Sequence, residues 1–334
     1  MNDVTLDLSP SWDVAACRRP RAEMRSFFRP RHRHEQMVVT LSPTGVGFVQ
    51  VKRTGAKPAV TRFGLHELAA PNVRSLRTLG RKFQVDRYRL STLLNAGEYQ
   101  VISIEAPNVP EDELKDAVRW RIKDLVNHPV DDVTIDVLKV PGTGSPSSRN
   151  RWIYAVVAPN NVIRARMKLF QEAKYDLSVI DVPEMAQRNI AALLEAPGQC
   201  LALLSFNESG ALLTVTLEGE LYFCRRLSIA RPQLSQADEA ERQLGRLTIE
   251  LHRSLDHFDR QFAFLSIERL VLAPLQGAPE VAQAIARDVS LPVDALDLGD
   301  VFDLSEAAEL EEPHQQSRFF LALGAALRQE EPET

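Results

Sequence analysis

The chain lacks most of the features that place a sequence quickly. It has three cysteines in 334 residues (Cys17, Cys200 and Cys224). An odd, sparse set of that kind fits a reducing compartment and excludes a disulfide framework. A chain of this length buries about three quarters of its unfolded surface, so it needs no such staples. Long apolar runs are missing too. The longest is Phe319 to Leu327, glycine included, against the roughly 20 residues that a membrane span requires. No secretory apolar core is read near the start. Charge of one sign is not in excess: 40 basic residues against 45 acids leave a formal net charge of -5. That argues against a general nucleic-acid binder. Signature motifs of P-loop NTPases, serine hydrolases and zinc proteases are absent, namely GxxxxGK[ST], GxSxG and HExxH.

The charge that is present is unevenly placed. Between Arg18 and His34 there are seven arginines and one acid, Glu23, with Phe27-Phe28 among them. Such an arm can touch anionic lipid, but its composition favours a solvated, disordered leader over residues 1–35. Met24 is an alternative start, which leaves residues 1–23 as an extension. His32 and His34 are too few for a metal site. Between Asp294 and Glu312 there are eight acids and no Lys or Arg, which reads as an acidic loop.

Periodicity organises the rest. Residues 37–52 read as two strands joined by a Pro43-Thr44-Gly45 turn. Residues 72–94 read as helical in parts, through Leu76, Leu79, Leu90, Leu93 and Leu94. After a strand at 99–104, Pro110 and three acids open a helix running to Pro129. Its stripe is Leu114, Ala117, Val118, Ile122, Leu125 and Val126; Trp120 lies off it, between Arg119 and Arg121. Strands at 133–140 and 151–158 flank a Gly/Ser/Pro loop. A helix at 160–174, a strand at 177–182 and a helix from Pro183 to Leu194 follow, and Ala196-Pro197-Gly198 marks an internal boundary. The pattern then restarts. Strands at 200–206, 211–217 and 220–227 form a meander. The helix over 235–265 has a seam of Leu244, Leu247, Leu251, Leu255, Phe258 and Phe262. A strand at 269–273, a helix from Pro279 to Val289 and a helix from Arg318 to Arg328 complete the chain. Two halves that each start with hairpins and pass into strand–helix alternation imply α/β architecture: two related lobes, the first carrying an α+β insertion.

Several segments in this order carry a family resemblance: the Phe-Phe-Arg leader with the first hairpin, residues 109–138 (VPEDELKDAVRWRIKDLVNHPVDDVTIDVL), 174–190 (KYDLSVIDVPEMAQRNI), 249–262 (IELHRSLDHFDRQF) and 319–328 (FFLALGAALR). Together the chain resembles the actin-like PilM group of type IV pilus biogenesis, nearest its MshI branch from the mannose-sensitive haemagglutinin (MSHA) pilus system. The resemblance implies a two-lobed actin-like fold (the ribonuclease H-like architecture of actin, sugar kinases and Hsp70). The first lobe would be residues 36–198 with an inserted subdomain at 99–178, the second 199–328, and 329–334 a tail. It also implies a place at the cytoplasmic face of the bacterial inner membrane, reached through a partner: the cytoplasmic tail of a PilN-like protein. The pilus assembly ATPase is a further implied partner. The tail-binding neighbourhood is the inserted subdomain, and Arg119, Trp120 and Arg121 are its candidate contacts. An extended peptide there would bury one or two apolar anchors and pair its backbone.

Actin-like folds hold Mg-ATP between two turns that carry Asp-x-Gly elements. The acid organises the metal's water shell and glycine lets N–H groups approach phosphate. Here the first element has Ser42 and Thr44 at those positions, followed by Gly45, and Pro43 removes a donor. The second has Ser205 and Asn207, with Glu208 adding negative charge. The adenosine element reads Leu272-Ala273-Pro274-Leu275, without its glycine pair. Gly324 alone remains family-like. Three degraded elements favour a scaffold that has lost catalysis; weak ATP binding through the hydroxyls of Ser42, Thr44 and Ser205 is the alternative. A small-molecule kinase of the same fold is disfavoured by the missing acids. Elsewhere, His252, Asp256 and His257 are weighed as a zinc site and read as a solvated helix face. Cys224, beside Arg225 and Arg226, reads as a structural thiol.

Overall fold

The computed structural model describes residues 36–43, 45–53, 55–67, 71–141, 151–234 and 237–329. The expectations for the leader (Phe27, Phe28, His32 and His34 included), for Thr44, for the loop tip 142–150 and for the tail beyond Gln329 lie outside these residues.

Strands β1 (Gln36–Ser42), β2 (Gly45–Lys52) and β3 (Ala59–Glu67) open the chain, and α1 (Val73–Phe83) follows. The Asn72 side chain caps α1 by accepting from the Ser75 amide at 3.0 Å. β4 (Arg89–Leu93) comes next. It occupies a stretch where leucine spacing suggests a helix. The reason is burial on both faces: Leu90, Ser91, Thr92 and Leu93 are all buried, and a strand covered on both sides shows no alternation. β3 escapes the pattern for the opposite reason, since polar Thr61, Arg62 and His66 interrupt its apolar positions.

The segment between β4 and β8 (Leu177–Asp181) holds β5 (Gln100–Glu105), α2 (Leu114–Arg121), β6 (Val133–Lys139), β7 (Trp152–Pro159) and α3 (Asn160–Ala173). Its three strands form their own antiparallel sheet, in the order β5-β7-β6. Val118 of α2 and Ile122, which caps its end, pack on Ile104, Ile135, Ile153 and Val157 to give it a separate core. α2 is shorter than its expected stripe. The chain leaves the helix near Ile122, so Leu125 is exposed rather than inward. Arg119 pins the return to β6, donating from Nη1 to the carbonyl of Val130 at 2.6 Å. Leu177 pairs with Leu90, so β8 is part of the sheet that contains β4.

After α4 (Pro183–Leu194) the meander β9 (Cys200–Asn207), β10 (Gly210–Leu217) and β11 (Glu220–Leu227) forms as expected. Then come α5 (Arg231–Leu234), α6 (Ala237–Gln261), β12 (Ile267–Leu272), α7 (Ala278–Asp288), β13 (Val293–Ala295) and α8 (Pro313–Ala326). Leu247, Leu251, Phe258 and Phe262 of the α6 seam are fully buried. β13 and two short 3-10 turns occupy what the sequence suggests is only an acidic loop. α8 begins at Pro313, five residues before the expected Arg318.

One sheet runs β3-β2-β1-β4-β8 and another β11-β10-β9-β12-β13. The order is the same in both. Three strands from the meander sit on one side, and two parallel strands are added beyond its first strand. Among the described residues the chain divides into two compact units: 36–46 with 65–182, and 47–64 with 183–328. The division falls at Val182/Pro183, not at Ala196–Gly198, because α4 packs with the second unit, against β10 and α8.

Candidate functional site

The first turn closes on itself. Ser42 donates from Oγ to the carbonyl of Gly45 at 3.2 Å, across the turn that Pro43 occupies. Gly45 has a packing role as well. A Cβ there would lie 2.4 Å from the backbone oxygen of His66, so only glycine lets β3 approach this closely. Thr44 lies outside the described residues.

The second turn is more heavily committed. Ser205 is buried at the end of β9, and its hydroxyl donates to Gln187 Oε1 at 2.5 Å. Gln187 itself is fully buried on α4. Its Nε2 donates to the carbonyl of Leu203 at 2.7 Å and to Thr214 Oγ1 at 2.9 Å, with the carbonyl of Leu212 at 3.1 Å. One side chain thus ties α4 to β9 and β10. Asn207 is a turn residue: its Oδ1 accepts from the amide and the hydroxyl of Ser209, both at 2.8 Å. The carboxylate of Glu208 is held by Arg231, which also donates to Ser317 Oγ at 3.0 Å. Burial, and then the neighbouring Arg318, lower the Arg231 guanidinium below its ordinary pKa.

In the adenosine element, Leu272, Ala273, Pro274 and Leu275 are all buried. The Ala273 amide is taken by the carbonyl of Leu204 at 2.8 Å. Gly324, on α8, sits against α4: a Cβ would fall 2.1 Å from the oxygen of Ala186, and Asn189 donates to the Gly324 carbonyl at 2.9 Å. Ser42, Gly45, Ser205, Asn207 and Gly324 therefore each have a structural task. The hydroxyl of Ser205 is buried and bonded to Gln187, so it is not presented as a phosphate ligand.

Buried polar groups also lie outside the three nucleotide elements. The hydroxyls of Ser91 and Thr92, on β4, are buried with no hydrogen-bond partner among the described residues. In the adjacent parallel strand, Asp181 is a buried acid whose Oδ1 accepts from the Val182 amide at 2.8 Å. The signal was available: Ser-Thr inside an otherwise apolar strand, and an acid closing VID before a proline-led helix.

On the inserted segment, the Trp120 ring is 72% exposed. Arg119 is bound to the backbone of the following loop, and Arg121 pairs with Glu105 at 3.4 Å. Of the three candidate contacts, Trp120 and Arg121 are exposed and Arg119 is half-buried; Trp120 is the one with no polar tie to the fold among the described residues. His252, Asp256 and His257 are exposed on α6. No group of three or more metal-ligating side chains occurs among the described residues. Cys224 is half-buried, and burial raises the pKa of the Cys200 thiol.

No protein-family profile matches the chain, and no curated sequence does. Solved structures do. A chain of the PilM–PilN type IV pilus biogenesis complex superposes with a TM-score of 0.69, covering 88% of this chain and 98% of that one at 19% identity. The cytoplasmic domain of EpsL, an inner-membrane component of the Vibrio cholerae type II secretion system, matches at 0.42 over 60% and 73% with 16% identity. A Bacteroides thetaiotaomicron protein with an actin-like ATPase fold matches at 0.48 over 83% and 96% with 9% identity. The first of these likenesses establishes the architecture. The chain has a two-lobed actin-like α/β fold with an inserted α+β subdomain, and its two five-stranded sheets repeat one strand order.

Proposed function

We propose that this chain is a non-enzymatic scaffold of type IV pilus biogenesis, close to the MshI proteins of the MSHA system. It binds the cytoplasmic tail of a PilN-like inner-membrane protein and so works at the cytoplasmic face of that membrane. The observation that carries the proposal is the extent of the likeness to the PilM–PilN chain, which takes in nearly all of both chains. No described helix is long and apolar enough to cross a membrane, which suits attachment through a partner. Trp120 is the anchor we assign to the tail, since an exposed tryptophan flanked by arginines has the composition of a binding hot spot. Arg119 and Arg121 border it. The assembly ATPase is a further partner in this scheme.

Loss of catalysis is supported by the residues at the three nucleotide elements, which serve the fold instead. A second reading, an actin-like ATPase whose nucleotide state gates docking, draws on Ser91 and Asp181, buried polar residues on the adjacent parallel strands β4 and β8. Two tests separate them. Retention of the full chain on an immobilised synthetic PilN-like tail tests docking, and no retention overturns it. Calorimetry with Mg-ATP and a phosphate-release assay test the scaffold: saturable binding in the low micromolar range that disappears in an Asp181→Asn or Ser91→Ala variant, with release of phosphate by the parent protein, overturns the non-enzymatic proposal.

A further inference from the structure

The outward face of α6 carries a row that neither the seam nor the nucleotide elements use. Arg242, Arg246, Ile249, Arg253, Asp256 and Arg260 follow one another at spacings of four and three residues. At 3.6 residues per turn they line one side of the helix over about 27 Å. All six are exposed. Ile249, at the middle of the row, is 53% exposed, one of only four large apolar side chains so displayed among the described residues. Arg242 is paired with Glu239 at 2.7 Å, and Arg246 donates to Gln243 at 3.2 Å. Arg253 and Arg260 make no ion pair or side-chain hydrogen bond among the described residues.

A row of four arginines invites an anionic partner, and its borders decide which. Glu239 and Glu250 lie along one side, Glu241 and Asp259 along the other. With Asp238 and Asp256, α6 has six acids against four arginines. A flat anionic bilayer responds to the whole face and meets net negative charge there. A helix laid along the row meets mainly the arginines, with its own flanks over the acidic borders. The spacing of four and three is also that of a helix–helix seam.

We infer that this face of α6 docks an α-helix of a partner protein, one bearing a stripe of Asp or Glu around a central aliphatic residue that seats on Ile249. The face is on a different element from Trp120, so its failure leaves the PilN-like docking untouched, and the reverse. The test uses the full chain and a fluorescein-labelled synthetic helix with Glu opposite each arginine, Leu opposite Ile249 and Lys opposite Asp256, followed by anisotropy at low salt. Saturable binding that falls at least tenfold in an Arg253→Glu/Arg260→Glu variant is expected, with recovery when Lys replaces Glu in the peptide. The arginine-rich leader is common to both proteins, so it does not account for the difference. Equal binding by both proteins overturns the inference. So does a variant that loses only retention on phosphatidylglycerol vesicles, which assigns the face to lipid. So does a variant whose only change is a smaller sedimentation coefficient, which assigns it to a second copy.

Discussion

Gln187 offers the sharpest test of how the second nucleotide element is used. It is fully buried and meets four polar groups: the hydroxyls of Ser205 and Thr214 and the carbonyls of Leu203 and Leu212. Gln187→Leu keeps the volume and removes every one of these partners. The carbonyls retain their places on paired strands, but the two hydroxyls lose their buried partner. Each stranded buried group costs about 1–3 kcal/mol. The sum need not be additive within one network, so a total of about 2–4 kcal/mol is expected. Urea unfolding of the full chain gives the number. Removing the hydroxyls as well is nearly neutral when shape is kept. The triple variant Gln187→Leu/Ser205→Ala/Thr214→Val should therefore recover most of the loss. A Gln187→Leu variant within about 0.5 kcal/mol of the parent, the size of an ordinary surface change, refutes the engagement of Ser205. It would also return that hydroxyl to the list of phosphate ligands.

Four other outcomes follow from the same geometry. Gly324→Ala places a Cβ 2.1 Å from backbone oxygen, which cannot rotate away. A loss of about 1–3 kcal/mol or more is expected by thermal unfolding, and an unchanged midpoint would mean that α4 and α8 are spaced more widely. Trp120→Ala should weaken binding to a PilN-like tail by about 2 kcal/mol or more while leaving stability within about 0.5 kcal/mol, because the ring is exposed. Equal retention of both proteins on the immobilised tail removes Trp120 from the interface. Thr92→Val replaces a buried, unpartnered hydroxyl with a methyl group and should hold or raise stability by up to about 1 kcal/mol; a clear loss would reveal a bound partner for that hydroxyl. Burial first, and then the nearby Glu195, raise the Glu220 carboxyl pKa against the opposing pull of Arg188. A carboxyl raised in the folded state binds its proton more tightly there. Its penalty is therefore absent below the unfolded pKa and fully present above the folded one. Glu220→Gln should thus gain stability at neutral pH and none at pH 3; a gain that is the same at both values contradicts the assignment.

The parts of the fold legible in the sequence are those with one-sided burial or with turn residues at their ends. The α6 seam shows a clean period because one face is on the core. β9 and β10 are buried on both faces, and their signal is instead the Asn-Glu-Ser-Gly and Glu-Gly turns that bound them. β4 could not be read, since a strand inside a parallel sheet is buried on both faces, and Leu90, Leu93 and Leu94 fall at a helical spacing by coincidence. α2 is shorter than its apolar stripe predicts for a tertiary reason. The carbonyl of Val130 that Arg119 holds is eleven residues away, and no local propensity records that bond. The same limit applies to the site. That Ser205 replaces an acid is visible in the sequence. That its hydroxyl is already occupied depends on Gln187, eighteen residues back on a different element.

This bears on how a degraded motif is interpreted in such folds. A glycine or hydroxyl that persists at a nucleotide position is weak evidence for a nucleotide when the backbone around it also needs that residue. Gly324 is required by the approach of α8 to Ala186, Gly45 by the approach of β3, and Ser205 by the polar link between α4 and the sheet. Selection on packing alone would retain all three after ATP had ceased to matter. Informative residues are those that the fold does not need. A buried hydroxyl without a partner is a standing cost, and Ser91 and Thr92 carry that cost on opposite faces of one strand. One ligand cannot meet both. Asp181 lies opposite Leu93 in the register, on the face that Ser91 shares. The contest between scaffold and gated ATPase therefore turns on Ser91 and Asp181 more than on the motif positions themselves.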